Sequence, residues 1–193
     1  EIEKVRGGAP SRVFIEMARG EEENKKGKPP VSRRQRIIDL YKSIKDESRE
    51  WMNEIESTPE IKFSSDKLLL YYLQMGRSAY SGKPINIQDV FNTNIVDIDH
   101  IYPQSKIKDD SLDNRVLAYK TENQQKKDIY PVKDEIRSQM HAFWLELKEK
   151  GLMSEKKFDR LTRNTPLTID EMSDFVNRQL VETRQSTKAI AQI

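Results

Sequence analysis

Val96-Asp97-Ile98-Asp99-His100-Ile101-Tyr102-Pro103 alternates apolar and acidic residues and closes on an Asp-His pair, with Asn114 and Asn123 downstream. A period of two reads as a short, half-buried strand leading to a reactive site. Neighbours on a strand face opposite ways, so Asp99 and His100 reach one centre only if the chain turns, and Pro103 is placed to turn it. Arg115-Val116-Leu117-Ala118-Tyr119 gives a second strand, and Thr121 is a candidate cap for a helix opening Glu122-Asn123-Gln124-Gln125-Lys126-Lys127. His100 then ends the first strand, Asn114 precedes the second, and Asn123 lies in the first helical turn. A carboxylate, an imidazole and two carboxamides gathered this way are the parts of a metal-assisted hydrolase. A positioned histidine acting as base is worth roughly 10²–10⁴-fold in rate. The oxygens of Asp99 and an Asn carboxamide suit magnesium, which takes few protein ligands and keeps several waters.

Working outward, most of the chain has helical spacing. Ile37, Tyr41, Ile44, Trp51 and Ile55 form a stripe from about Arg34, ended by Pro59. Ser65 or Asp66 can cap a helix from Lys67 to Met75, with Gly76 as its stop. Val132, Ile136, Met140, Phe143, Trp144 and Leu147 continue the periodicity to Gly151, and Ser154 can cap a helix through Phe158 and Leu161. Thr168-Ile169-Asp170-Glu171 matches a capping box. Val13-Phe14-Ile15-Glu16-Met17 reads as a strand lacking a sheet, and residues 20–34, rich in charge and carrying Pro29-Pro30, read as a linker. The expected class is α+β: a small strand pair among helices.

The 193 residues include no cysteine, which excludes a disulfide framework and a thiolate zinc site and suits a reducing interior. Neither a membrane-length apolar run nor a signal-peptide pattern is present. With 34 basic against 32 acidic residues, the chain lacks the excess of a free-standing nucleic-acid binder. A polyanionic substrate would be held mostly from outside it. An opening without methionine and a close inside a helical pattern read as a segment of a larger protein.

Asp97-Ile98-Asp99-His100-Ile101-Tyr102-Pro103-Gln104-Ser105 followed by Lys108-Asp109-Asp110-Ser111-Leu112-Asp113-Asn114-Arg115-Val116-Leu117 resembles the HNH nuclease domain of type II CRISPR RNA-guided DNA endonucleases, the Cas nine family. Phe14-Ile15-Glu16-Met17-Ala18-Arg19, Leu70-Tyr71-Tyr72-Leu73-Gln74 and Arg178-Gln179-Leu180-Val181-Glu182-Thr183-Arg184-Gln185 extend the likeness over essentially the whole chain. The resemblance implies a ββα-metal element with His100 as general base. It implies Asp99 and Asn123 as magnesium ligands, with manganese able to substitute, and Asn114 steadying the loop around the site. Glu16 matches a metal ligand of the split RuvC nuclease, whose other ligands lie outside this chain. The domains implied are a RuvC-like strand at 1–19, a linker at 20–34, the HNH domain at 35–163, a second linker at 164–177 and the start of a third RuvC-like segment at 178–193. The implied substrate is the DNA strand paired to a guide RNA, cut to leave a 3′ hydroxyl and a 5′ phosphate. The partners implied are the rest of the nuclease, that heteroduplex and an anti-CRISPR inhibitor protein, in the bacterial cytoplasm and away from any membrane. Gln124-Gln125-Lys126-Lys127 departs from the Gly-containing basic segment frequent in the family.

Blander readings apply elsewhere. His141 lies beside an amphipathic stripe without acidic neighbours and reads as a helix-edge residue. Asp109, Asp110 and Asp113 lack EF-hand spacing and read as turn-formers. Lys106, Lys108, Arg115, Lys126 and Lys127 flank the site as candidate phosphate contacts, although isolated lysines are commonly only solvated. Trp51, Trp144, Tyr71 and Tyr72 read as core. A non-cleaving nucleic-acid-binding or protein-docking module with the same fold is the alternative function.

Overall fold

Helix α1 (Arg33–Ser43) is the first described element, its first turn closed by the Ser32 hydroxyl, which accepts from the Gln35 amide at 3.1 Å. The structure is a computed structural model that describes residues 31–44 and 48–177, with the side chains of residues 48 and 49 outside that description. The strand expected around Glu16, most of the first linker and the segment 178–193 lie outside the described residues. The chain divides into residues 27–172 and a second unit made of its two ends; the architecture below belongs to the first.

The single stripe expected from Arg34 to Ile55 is two helices, α1 and α2 (Ser48–Ser57). The Ser43 hydroxyl donates to the Leu40 carbonyl at 2.6 Å, competing with the helical ladder, and Ile44 turns extended (φ −90°, ψ 112°). After a 3₁₀ turn at Glu60–Ser64, α3 (Asp66–Leu73) is buried from Leu68 to Tyr72, so it runs through the core. It ends where Met75 and Gly76 take φ of 50° and 65°. A Cβ at Gly76 would lie 2.7 Å from the Trp51 ring, so the close approach also requires glycine. Tyr41, Trp51, Phe63, Tyr71 and Tyr72 pack around this point with ring centroids 5.2–6.3 Å apart.

The sheet has two antiparallel strands, β1 (Val96–His100) and β2 (Arg115–Tyr119), with Asp99 opposite Val116 and His100 opposite Arg115. Two strands alone are marginal. Buried Gln74 supplies what a third strand would: its amide donates to the Leu117 carbonyl at 2.9 Å, and its oxygen accepts from the Leu117 amide at 2.8 Å. Helix α4 (Lys120–Lys126) follows β2 directly. It starts one residue before the expected cap: Tyr119 is the N-cap, Glu122 accepts from the Tyr119 amide at 3.2 Å, and Thr121 lies inside the first turn.

Beyond Pro131, α5 (Asp134–Glu149) and α6 (Glu155–Thr162) are joined through Gly151 at φ 71°, with the Ser154 hydroxyl accepting from the Lys157 amide at 3.1 Å. Trp144 is fully buried and its indole donates to the Ala79 carbonyl at 2.9 Å, fixing α5 to the turn before the sheet. Thr168 and Glu171 form the expected reciprocal cap, at 2.8 Å from the Thr168 amide and 3.2 Å from the Glu171 amide. Residues 169–172, at the end of this unit, are helical, inside the stretch read as the second linker. Among the described residues, no helix is long and apolar enough to cross a membrane.

Candidate active site

Strand β1 delivers the two central side chains to different surroundings. Asp99 is 7% exposed. A buried carboxylate must be paired and hydrogen-bonded, and Oδ2 of Asp99 meets both needs: Lys126 Nζ lies 2.9 Å away and the Tyr80 hydroxyl donates to the same oxygen. Lys126 Nζ also donates to the His100 carbonyl at 2.8 Å, stitching α4 to the end of β1. Burial, reinforced by the Asp99 charge, pushes the Tyr80 hydroxyl well above the ordinary tyrosine range, so it stays a donor.

His100 follows the alternation and faces the loop between the strands. Its Nε2 lies 2.9 Å from Asp110 Oδ1, which also accepts from the Gln104 amide at 2.8 Å. The bond from His100 is the largest cause holding the Asp110 carboxyl below its usual range. A proton on Nε2 satisfies the carboxylate at that distance and keeps the neutral ring's lone pair on Nδ1, while the Gln104 amide nitrogen lies 3.1 Å from the same Nε2. Asp110 thus orients the imidazole while Lys126 and Tyr80 orient Asp99, and the chain bends directly after His100, at Ile101 and Tyr102.

Asn114 is fully buried and spends its carboxamide on the loop. Its oxygen accepts from the Tyr102 amide at 2.8 Å, and its NH₂ donates to the Tyr102 and Asp109 carbonyls at 3.1 and 2.9 Å. Its backbone carbonyl accepts from Ile101 at 2.8 Å. The side chain therefore fixes the bend after His100 and presents no atom to a substrate. Asn123 is half-buried in the first turn of α4.

The basic residues divide by what holds them. Arg115 donates to Asp66 at 2.7 Å, and Arg33 pairs with the other oxygen of that carboxylate at 2.8 Å. Lys126 is buried against Asp99, whereas Lys106, Lys108 and Lys127 are exposed. Asp109 accepts from the Ser111 amide at 2.9 Å and pairs with Arg160 at 2.8 Å; Asp113 accepts from Ser154 at 2.7 Å. Those two shape the loop, while Asp110 serves the histidine. Asp97 faces Lys67 at 3.8 Å, and His141 is exposed with its ring 5.6 Å from Phe158.

Tyr80, Gln104, Asp110 and the Lys126–Asp99 pair were not read from sequence. Asp110 hid among the loop aspartates, and Tyr80 precedes β1 by a stretch with no site-like spacing. No group of three or more His, Cys, Asp or Glu residues able to hold a metal exists among the described residues. The pair expected from the sequence is sparser: Asp99, whose Oδ2 is anchored by Tyr80 and Lys126, and the Asn123 carboxamide. Such hard oxygen donors, few in number, fit a divalent ion that retains waters.

A family model for HNH endonucleases matches residues 78–132, which enclose Tyr80, both strands and α4. The chain carries an HNH endonuclease domain. Across its whole length it is 40% identical to a CRISPR-associated endonuclease Cas9 of Streptococcus mutans and 39% identical to one of Listeria innocua. A Cas9 of Streptococcus thermophilus is 32% identical over 92% of the chain. The chain spans 14% of the length of the first two relatives and 17% of the third. The α+β architecture, with its two-stranded sheet set among helices, agrees with an HNH nuclease, and the HNH domain is a nuclease domain by this membership.

Proposed function

We propose that this HNH domain hydrolyses one phosphodiester of a DNA strand paired to guide RNA, as part of a larger CRISPR-associated nuclease. The observation that supports this reading is the separate anchoring of the two groups at the end of β1: Lys126 and Tyr80 hold one oxygen of Asp99, and Asp110 holds Nε2 of His100. His100, with Nε2–H donated to Asp110, takes a proton from the attacking water at Nδ1. Asn114 holds the loop that carries Asp110 and Gln104, so the imidazole keeps its direction. Lys126 and Tyr80 hold one Asp99 oxygen and leave the other for a cation shared with Asn123. Held by Asp99 and Asn123, magnesium would supply Lewis-acid polarisation of a phosphoryl oxygen and support for the departing 3′ oxygen, and manganese would meet the same donor demands. In the larger protein, Glu16 belongs to a separate RuvC-like site, residues 20–34 and 164–177 connect the two nucleases, and 178–193 begins the third RuvC-like segment. The setting is the bacterial cytoplasm, and an anti-CRISPR protein is a natural inhibitor.

The test is nicking of a pre-formed RNA–DNA heteroduplex by wild type and His100→Ala in magnesium. Loss of roughly 10²–10⁴-fold is expected for a general base; equal rates would instead favour a non-cleaving binding module. Asn123→Ala should raise the magnesium concentration for half-maximal rate while thermal unfolding stays unchanged. An unaltered titration would remove Asn123 from the metal site.

A further inference from the structure

Beside the site lies a cleft of about 250 Å³ that the chemistry above does not use. It is lined by Tyr80, Lys83, Glu122, Gln125, Lys126 and Lys133 among others. Lys83 lies on the turn before β1 and Lys133 on the approach to α5, so two segments distant in sequence converge on one opening. Both lysines are exposed, and neither is in an ion pair with a described residue. Glu122, the acid in the lining, is turned to its own structure: it accepts from the Ser78 hydroxyl and the Tyr119 amide. Lys126 is neutralised by Asp99. The two ammonium groups at the rim thus outnumber the one carboxylate, and the cleft shares Tyr80 and Lys126 with the anchorage of Asp99.

We infer that this cleft binds a backbone phosphate of the nucleic-acid strand that the site cuts, with Lys83 and Lys133 as its cationic arms. The inference rests on the nuclease reading and adds to it a strand path along the Tyr80 side of Asp99. Arg115 is tied to Asp66 at 2.7 Å, whereas these two lysines have no ion-pair partner among the described residues. Phosphate neutralisation by lysine releases counterions, which makes the contact countable from salt dependence.

The experiment measures binding of a fluorescent RNA–DNA heteroduplex to the 193-residue chain between 50 and 200 mM salt. Wild type is compared with Lys83→Gln/Lys133→Gln and with the control Lys62→Gln, each checked by thermal unfolding. Two lost contacts at about 0.9 each should flatten the log–log salt slope by about 1.8, so the fall in affinity across that range shrinks roughly twelvefold. The control should keep the wild-type slope. A double variant that unfolds normally and also keeps that slope overturns the cleft and leaves the nuclease reading standing. A wild type that binds no heteroduplex at low salt overturns both. Inorganic phosphate at matched ionic strength separates the two sources of the anion. Displacement of the heteroduplex by millimolar phosphate in wild type but not in the double variant would make this a free-anion site and refute the backbone assignment.

Discussion

Replacing Lys126 by methionine keeps the length of the side chain and deletes the ammonium that balances Asp99. At 2.9 Å and an effective dielectric constant of about 20, the pair attracts by about 6 kcal/mol before desolvation is subtracted. Removing one partner of a buried pair typically destabilises by about 3–5 kcal/mol, because the other charge stays buried. The His100 carbonyl also loses its donor, a non-additive penalty of about 1–3 kcal/mol. We expect a net loss near 4 kcal/mol, which for a chain of this size lowers Tm by about 8–16 °C. The assay is thermal and urea unfolding in EDTA of wild type, Lys126→Met, Asp99→Asn and the double variant. The double variant should be more stable than the sum of the single losses predicts, with a coupling of about 2–3 kcal/mol. A Lys126→Met chain that unfolds within 2 °C of wild type, or a coupling of about zero, would show that the pair does not hold the end of β1 to α4.

Two further outcomes follow from buried groups. Asn114→Ala strands the Tyr102 amide and the Tyr102 and Asp109 carbonyls; it should destabilise by about 3–5 kcal/mol in urea unfolding and lower nicking although Asn114 touches no reacting atom. Lys157 is nearly buried, and desolvation, partly opposed by Asp113, pulls its amine from 10.5 down to about 8. From pH 8 to 10.5 the unfolded chain therefore holds a proton on Lys157 that the folded chain has shed, so this group adds a rise in stability with pH across that window. The rise is read as the difference between wild type and variant, because the buried tyrosines act in the opposite direction near pH 10. Lys157→Met should abolish the rise and stabilise the chain at pH 7 by up to about 3 kcal/mol, measured by urea unfolding at each pH.

Local pattern identified β1 by its alternation and β2 as a short apolar run of strand length, and the Ser154 and Thr168 caps, because capping is decided within four residues. It also placed Asp99, His100 and Asn123 near the ends of successive elements. The break at Ile44 was not legible, since apolar spacing continues through it, while the backbone turns extended at Ile44 beside the Ser43 hydroxyl bonded to the Leu40 carbonyl. The start of α4 at Lys120 escaped for a similar reason: the cap is made by Glu122 reaching back, while Thr121 has the commoner capping chemistry.

The sequence by itself determined which groups are available for chemistry and the strand–loop–strand–helix order that carries them. Tertiary structure alone decided what each group is tied to. Tyr80 and Lys126 arrive at Asp99 from 19 and 27 positions away along the chain, Gln74 completes the sheet edge, and Arg115 is drawn off to Asp66. Burying a charge forces it to find a partner wherever the fold brings one, and periodicity records burial without recording the partner.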